Sequence, residues 1–344
     1  MTTSRASQVD YSVTSYYHCI SRCVRGAFLY GKDENTGRDY SHRKSLIIER
    51  IKRLAGIFSI YISAYAIMDN HYHLVLYVDT DLAKSWSEGE VKRRWSMLFP
   101  ADAEEFEGLI QCGLSANDIS MQIEKWRSRL MDLSWFMAGV NEYMARRCNL
   151  EDKCKGRFWQ GRFKIQALLD QGAVLSAMAY VDLNPVRAKM ANTPEESDFT
   201  SISERINELR KYKKWQTKEE TAQKKFCENI PQPLSLMPFA QPNNASSKKP
   251  VINFNLLDYL ELVDNTGRIL RGNKRGVIPE GCEPILIRLN LCPSGWLEIV
   301  SNLEKAFSQL VGEALLMSSF AKKHRRGTPR GITSSKRCYR MGFT

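Results

Sequence analysis

The feature that most restricts the fold is a regular alternation of short strand-like and longer helix-like patterns from Tyr16 to about residue 201. Such an alternation is typical of a mixed α/β domain with one compact sheet. Because Asp and Asn tolerate the left-handed backbone of a short turn, Asp69-Asn70 predicts a hairpin between two of the strands. The strands are predicted at residues 16–23, 58–68, 71–78 and 157–169, and the helices at residues 41–56, 134–148 and 171–190.

Composition divides the 344-residue chain into regions around this alternation. Residues 1–13 are expected to form a flexible N-terminus, and residues 14–201 a domain that contains all the candidate chemistry. Residues of about 80–133 contain three Trp and an acidic patch, break the rhythm of the domain and predict a helical insertion. Residues 202–250 predict a charged helix and a Pro-rich linker, and residues 251–344 a smaller accessory region with a basic tail.

The chain is basic, with 50 Lys and Arg against 38 Asp and Glu and a formal net charge of +12. This charge attracts polyanions and makes nucleic acid the expected partner, although a basic surface that only maintains solubility stays open. The nine cysteines are odd in number, lack the paired spacing of a zinc ribbon and are expected to be reduced thiols. No stretch approaches the roughly 20 apolar residues of a membrane span. A cytoplasmic location without a membrane is therefore predicted.

Two histidines, His71 and His73, alternate with apolar residues on the third predicted strand. Successive side chains of a strand point to opposite faces, so both imidazoles emerge on one face with their Cα atoms about 6–7 Å apart. Two imidazoles can hold one metal ion and leave positions open for water or substrate oxygens. A solvated pair at the end of a strand, with no metal, is the alternative that the spacing leaves open.

Tyr180 and Asn184 lie four residues apart on the last predicted helix of the domain, which places them on one helical face. An Asn carbonyl can bind a hard cation, so Asn184 is a candidate third metal ligand beside a candidate nucleophile, Tyr180. Pro185 predicts that the helix kinks or ends at this point. The alternative for Tyr180 is a half-buried structural tyrosine.

Three ordered motifs give these residues a family context. Together they resemble the REP-associated tyrosine transposases of the HUH superfamily of single-strand endonucleases, over about residues 14–201. The resemblance implies an α+β fold with a ferredoxin-like antiparallel sheet and helices on one face. It also implies that His71, His73 and Asn184 bind the metal and that Tyr180 is the nucleophile. The motifs are Met68-Asp-Asn-His-Tyr-His-Leu-Val75, Gly156-Arg-Phe-Trp-Gln-Gly-Arg-Phe163 and Tyr180-Val-Asp-Leu-Asn-Pro-Val-Arg-Ala188.

The function that the resemblance implies is a metal-dependent single-stranded DNA endonuclease and strand transferase. The phenol of Tyr180 would attack a phosphodiester and leave a 5′-phosphotyrosine and a free 3′-hydroxyl. Mg²⁺ or Mn²⁺ is the expected cofactor, bound to phosphate oxygens as a Lewis acid. The expected partner is single-stranded or hairpin DNA, and a homodimer is left open.

Cations alternate with aromatic residues from residue 157 to residue 164, a pattern that can hold phosphates and stack unpaired bases. Only the cations are assigned to DNA, because Phe and Trp at strand spacing are more often part of a core. A second basic tract, residues 322–326 with Arg330, is equally compatible with a DNA contact and a solvated tail. The predicted DNA-binding residues are Arg157, Arg162, Lys164 and Arg187.

Three alternatives to this prediction stay open. Tyr143 is a rival nucleophile, although Arg147, one turn beyond it, cannot bind a metal ion. A second alternative is a non-cleaving descendant that binds hairpin DNA or RNA as a regulator. The third is a metal-dependent hydrolase in which His71 and His73 activate water and Tyr180 is structural.

Overall fold

The computed structural model describes residues 4–24, 30–32, 37–216, 230–241, 249–271 and 282–340. Within these ranges the chain forms a five-stranded sheet packed among helices, which confirms the mixed α+β class. The strands are β1 (Tyr16–Arg22), β2 (Ile60–Ile67), β3 (His71–Val78), β4 (Lys164–Leu168) and β5 (Leu310–Val311). The helices are α1 (His42–Ala55), α2 (Thr80–Ser85), α3 (Glu88–Ser96), α4 (Pro100–Gln111), α5 (Ala116–Leu130), α6 (Leu133–Glu151), α7 (Gln171–Asp182), α8 (Asn184–Arg187), α9 (Ser201–Gln216), α10 (Leu256–Arg271), α11 (Glu283–Arg288), α12 (Pro293–Ala306), α13 (Ala314–Lys323) and α14 (Ile332–Cys338).

β1 lies at the centre of the sheet, whose strand order is β2-β3-β1-β4-β5. β1 pairs antiparallel with β3 and β4, and β2 pairs antiparallel with β3. β5 runs parallel to β4, so the sheet is mixed and differs from the fully antiparallel sheet that we expected. The difference arises because the edge strand comes from the C-terminal region, outside the part of the chain that contains the three motifs.

Helices pack against both faces of the sheet, whereas helices on one face were expected. On one face, the Tyr72 hydroxyl donates a hydrogen bond of 2.7 Å to the side chain of Asn141 on α6. On the other face, the rings of His18 and His73 contact the ring of Tyr180 on α7. Because Tyr72 and His73 are consecutive residues of one strand, these two contacts lie on opposite sides of the sheet.

The predicted strand at residues 157–169 is shorter in the structure. Regular pairing is confined to β4, while the preceding residues bend and contribute an isolated bridge between Trp159 and Cys23. Gly156 has a φ of 124°, which residues other than glycine rarely adopt, and Gly161 follows shortly after. Glycine weakens a strand because it has no side chain to pack, so the extended segment starts only after these residues.

Helices α2 to α5 fill the segment that was predicted to be a helical insertion, which confirms its helical character. Its aromatic residues pack against one another within the hydrophobic core. Trp95 stacks on Trp126 with ring centroids 5.4 Å apart, and Phe106 meets the edge of Trp126 at 4.8 Å. All three side chains are buried, so the aromatic content of this segment stabilises its helices.

The C-terminal region packs directly on the sheet domain. β5 extends the sheet, α12 lies against α7, and one continuous hydrophobic core joins them. Residues 230–241 of the predicted linker also contribute, because Met237 donates a backbone hydrogen bond of 2.7 Å to Ile62 and the ring of Phe239 is buried. Residues 217–229 and 242–248 of the predicted charged helix and linker lie outside the described residues.

The segment that precedes β1, expected to be flexible, contacts the basic tract near the C-terminus. Asp10 pairs with Lys323 at 2.8 Å and with His324 at 3.0 Å. The eight cysteines within the described residues are free, and Cys227 lies outside them. None of the helices in the described part of the chain has the length and apolar character needed to span a membrane.

Replacing Gly295 of α12 with Ala is expected to destabilise the protein. A Cβ atom at this position would overlap the backbone of Cys338, and overpacking of this kind costs about 1–3 kcal/mol. Gly108→Ala in α4 is the matched control, because its Cβ would meet nothing within 4 Å and Ala favours a helix by about 1 kcal/mol over Gly. Urea titration gives the free energy of unfolding of both variants. Equal stability of the two would contradict the close approach of α12 to α14.

Candidate functional site

Three imidazoles lie side by side on one face of the sheet. β3 places His71 and His73 on the same face, with ring centroids 4.9 Å apart. β1 adds His18, whose Nε2 lies 2.9 Å from Nδ1 of His73. The other ring nitrogen of His18 lies 2.7 Å from the side-chain oxygen of Gln166 on β4. A polar row, formed by Gln166, His18 and His73, therefore crosses the sheet from β4 through β1 to β3.

Burial favours the neutral form of these imidazoles. Loss of solvation lowers the pKa of His71 to about 4 and lowers the pKa of His73 well below its ordinary value. Burial also lowers the pKa of His18. A neutral imidazole keeps a lone pair on one nitrogen, which is the form that binds a metal ion.

The histidine pair has donor atoms that fit a divalent cation. The Nε2 atom of His73 is buried and has no hydrogen-bond partner among the described residues. Nδ1 of His71 lies 2.6 Å from the side-chain oxygen of Asn70, so each histidine is oriented through Nδ1. No group of three or more His, Cys, Asp and Glu residues within the described ranges could hold a metal ion. A cation at this position would therefore depend on His71 and His73 together with oxygen ligands of other kinds.

Tyr180 lies beside these imidazoles. Its ring centroid is 5.7 Å from that of His73 and 5.9 Å from that of His18. The phenol is buried, and its hydroxyl donates a hydrogen bond of 3.0 Å to Oε1 of Glu304 on α12. The structure thus brings the predicted nucleophile to the face of the sheet that carries the predicted metal-binding pair.

The surroundings of Tyr180 hold its phenol in the protonated form. Burial, with a smaller contribution from the negative charge of Glu304, raises the pKa of Tyr180 to about 12. The guanidinium of Arg187, 3.8 Å from the centre of the phenol ring, acts in the opposite direction. Additional positive charge close to the hydroxyl, such as a bound metal ion, would favour the phenolate.

The helix break predicted at Pro185 is present. α7 ends at Asp182, and the short α8 begins at Asn184. The side chain of Asn184 is buried, but no hydrogen bond or ring contact in the described part of the chain joins it to the histidine pair. The structure therefore brings His71, His73 and Tyr180 together, and the role of Asn184 as a metal ligand stays a prediction.

The predicted DNA-binding cations have two kinds of environment. Arg157, Arg162 and Lys164 are exposed, and Nζ of Lys164 lies 3.6 Å from a carboxylate oxygen of Glu304. Arg187 instead covers the ring of the candidate nucleophile and is half-buried. Arg187 therefore belongs to the interior of the site, whereas Lys164 lies at its edge beside Glu304.

The rival nucleophile Tyr143 lies away from the histidine cluster. It belongs to α6, the helix that packs on the opposite face of the sheet through Asn141. Its ring contacts the guanidinium of Arg50 on α1, with 4.7 Å between the guanidinium carbon and the ring centre. The geometry therefore favours Tyr180 as the phenol associated with the histidines.

Three residues of the cluster were absent from the sequence prediction. His18 and Gln166 each lie on a predicted strand, but only the strand order shows that His18 lies beside His73 and that Gln166 lies beside His18. Glu304 lies more than 120 positions after Tyr180 in the sequence, on a helix whose own pattern contains no catalytic signal. Local patterns identified the histidine pair and the tyrosine, whereas these neighbours depend on tertiary packing.

Comparisons with known proteins give little independent support. No protein-family model and no curated protein matches the chain. Among solved structures, the chain is similar to a REP-associated tyrosine transposase bound to a REP hairpin, with 11% identity and a TM-score of 0.33. The similarity covers 57% of this chain and 80% of that one. This is a weak likeness at the level of the fold, so the interpretation of the site depends on its own residues.

Glu304→Gln is expected to lower the pKa of Tyr180, because both the charge of Glu304 and its hydrogen bond raise that pKa. Titration of ¹³C-labelled tyrosine by NMR measures this pKa, and Tyr180→Phe identifies the resonance. Glu298→Gln is the control, because Glu298 lies on the same helix and pairs with Arg337. An unchanged titration of Tyr180 in Glu304→Gln would show that the contact between Tyr180 and Glu304 does not form in solution.

Proposed function

We propose that the chain is a metal-dependent single-stranded DNA endonuclease and strand transferase that acts through a covalent 5′-phosphotyrosine at Tyr180. The observation that carries this proposal is the position of the Tyr180 ring beside the imidazoles of His73 and His18. The resemblance of three ordered motifs to the REP-associated tyrosine transposases supports the proposal. The formal net charge of +12 agrees with a nucleic-acid substrate.

The proposed cofactor is Mg²⁺ or Mn²⁺, held by His71 and His73 and, as a third ligand, by Asn184. The unpartnered Nε2 of His73 supports this assignment, because a buried nitrogen without a partner is costly unless it binds a ligand. A bound ion would supply Lewis-acid stabilisation of the phosphate oxygens. An Asn carbonyl and imidazoles together leave room for substrate oxygens, as an open catalytic site requires.

The residues of the chain then perform the transfer. A bond forms between the Tyr180 hydroxyl oxygen and phosphorus, and the bond from phosphorus to the 3′ oxygen breaks. The phenol proton leaves toward Glu304, its hydrogen-bond acceptor in the structure, and the 3′ oxygen takes a proton from solvent. The product is a 5′-phosphotyrosine with a free 3′-hydroxyl, and attack by another 3′-hydroxyl rejoins the strands without ATP.

The proposed partner is single-stranded or hairpin DNA. Arg157, Arg162 and Lys164 are exposed and would bind backbone phosphates through their charges, with Lys164 next to Glu304 of the site. Arg187 would act differently, because its guanidinium over the Tyr180 ring stabilises negative charge on the phenol. A homodimer stays compatible with this proposal.

A non-cleaving hairpin-binding regulator is the second candidate function. The observation that favours it is the burial of the Tyr180 phenol and its hydrogen bond to Glu304. A regulator of this kind would bind hairpin DNA tightly and form no covalent product. Detection of a covalent product therefore separates the two candidates.

Tyr180→Phe is expected to abolish formation of a covalent complex between the protein and DNA. Purified protein, a labelled hairpin with single-stranded flanks and Mn²⁺ are incubated and separated on a denaturing gel, where the complex migrates slowly. Tyr143→Phe is the control and should keep the complex, since Tyr143 lies outside the histidine cluster. Loss of the complex in Tyr143→Phe but not in Tyr180→Phe would mean that Tyr143 is the nucleophile. Cleaved DNA without attached protein would indicate a hydrolase.

His71→Ala is expected to reduce formation of the covalent complex by at least about 100-fold at limiting Mn²⁺, because loss of even an outer-shell partner costs about 10–100-fold. Removal of the metal with a chelator should have the same effect on the unmodified protein. His42→Ala, a change in an exposed histidine paired with Glu151 outside the site, is the control. Equal activity of the two variants across a Mn²⁺ titration would rule out a metal-binding role for His71.

A further inference from the structure

An open cavity of about 450 Å³ adjoins the candidate site along β4. Its volume lies within the range of pockets that hold small ligands or parts of larger ones. Three separate parts of the chain form its walls: the segment before β1, the residues around the start of β4, and the C-terminal region. The lining residues that matter here are Arg5, Arg162, Phe163, Lys164, Glu304 and Arg330.

The cavity has the charge of an anion-binding site. Four cations line it, namely Arg5, Arg162, Lys164 and Arg330, and Glu304 is the carboxylate among its lining residues. Burial lowers the pKa of Arg5, the charge of Cys19 opposes this effect, and the nearby positive charge of Arg162 adds to it. An anionic ligand would relieve this repulsion between like charges.

One wall of the cavity offers a flat surface. The guanidinium of Arg5 lies over the ring of Phe163, 3.9 Å from its centre. Nη1 of Arg5 also donates a hydrogen bond of 2.7 Å to the side chain of Gln8, which fixes the orientation of the guanidinium. Aromatic rings and guanidinium planes are the surfaces on which unpaired bases stack, whereas paired bases within a duplex do not present their faces.

The cavity is continuous with the cluster around Tyr180. Glu304 lines the cavity and accepts the hydrogen bond of the Tyr180 hydroxyl. Gln166 also lines it and lies within hydrogen-bond distance of His18. A ligand in the cavity would therefore lie next to the phenol and to the polar row on the sheet.

We infer that this cavity binds the unpaired DNA strand directly beside the cleaved phosphodiester, an inference that rests on the proposed function. Arg5 and Arg330 bind its phosphates, and a base stacks at the wall formed by Arg5 and Phe163. The segment before β1 and the C-terminal region thereby contribute substrate contacts that none of the three sequence motifs contains. Recognition of the unpaired strand is distinct from recognition of the hairpin stem.

The test compares the binding of two fluorescent hairpins, one with an unpaired flank and one blunt, to the full chain by anisotropy. The Arg5→Ala/Arg330→Ala double variant is expected to bind the flanked hairpin about tenfold or more weakly and the blunt hairpin unchanged. For the flanked DNA, the slope of log association constant against log salt concentration should be smaller in magnitude by about 1.4 in the double variant. This difference corresponds to the loss of two phosphate contacts on a single strand. The single variant Arg330→Ala, at an exposed position, should show half of this change if Arg5→Ala affects folding.

The control is Arg268→Ala/Arg271→Ala on α10, which removes the same charge from outside the cavity. A similar loss of affinity in this control, or an equal loss of affinity for the blunt hairpin in the cavity variant, would overturn the inference. Either result would mean that net charge alone explains binding. Displacement of the flanked DNA by equimolar mononucleotide or inorganic phosphate would overturn it in favour of a small-anion site. Binding is measured in a Tyr180→Phe background with a chelator, so it does not depend on cleavage. Flank-dependent binding without any covalent complex in the unmodified protein would overturn the proposed function and leave the cavity assignment intact.

Discussion

The hydrogen bond between His18 and His73 is the contact on which the candidate site depends. The amide nitrogen of Gln166 donates to the carbonyl oxygen of Ser308 at 2.8 Å, which directs its amide oxygen toward Nδ1 of His18. His18 therefore carries its proton on Nδ1 and accepts at Nε2, so His73 donates from Nδ1. The lone pair of His73 is thereby placed on Nε2, the buried atom without a partner. Gln166 on β4 thus sets the tautomer of His73, two strands away, and this tautomer is the one whose Nε2 can bind a cation.

The local part of this arrangement could be predicted from the sequence. Strand periodicity put His71 and His73 on one face, and Pro185 predicted the break between α7 and α8. The contribution of His18 requires knowledge that β1 lies between β3 and β4, and strand order is a property of the whole sheet. The parallel edge strand β5 and the contact from Glu304 come from a region remote in sequence, so periodicity and motif spacing could not reveal them.

The C-terminal region is attached to the helix of the candidate nucleophile by buried polar contacts. Asp182, two residues after Tyr180, accepts a hydrogen bond of 2.6 Å from the hydroxyl of Tyr259 on α10. Burial raises the pKa of Asp182 to about 6, and its hydrogen bonds from Tyr259 and Ser201 oppose that rise. Arg187 donates to the carbonyl oxygen of Ser301 at 3.2 Å. The buried carboxyl group of Asp182 depends on these partners. Separation of the C-terminal region from α7 would therefore leave that carboxyl group without the hydrogen bond from Tyr259.

Access of a phosphodiester to Tyr180 does not require such a separation. The pair between Lys164 and Glu304 spans 3.6 Å, and the Lys164 side chain is 73% exposed. Exposed ion pairs contribute only about 0–1 kcal/mol, so a phosphate can replace Glu304 as the partner of Lys164 at little cost. Loss of this pair would free the carboxylate oxygen of Glu304 that faces Lys164, while the hydrogen bond between Tyr180 and Glu304, the bond between Asp182 and Tyr259 and the contact of α12 with α7 stay in place. The proposed substrate thus enters by exchanging one weak surface contact, and the buried framework that orients Tyr180 is preserved.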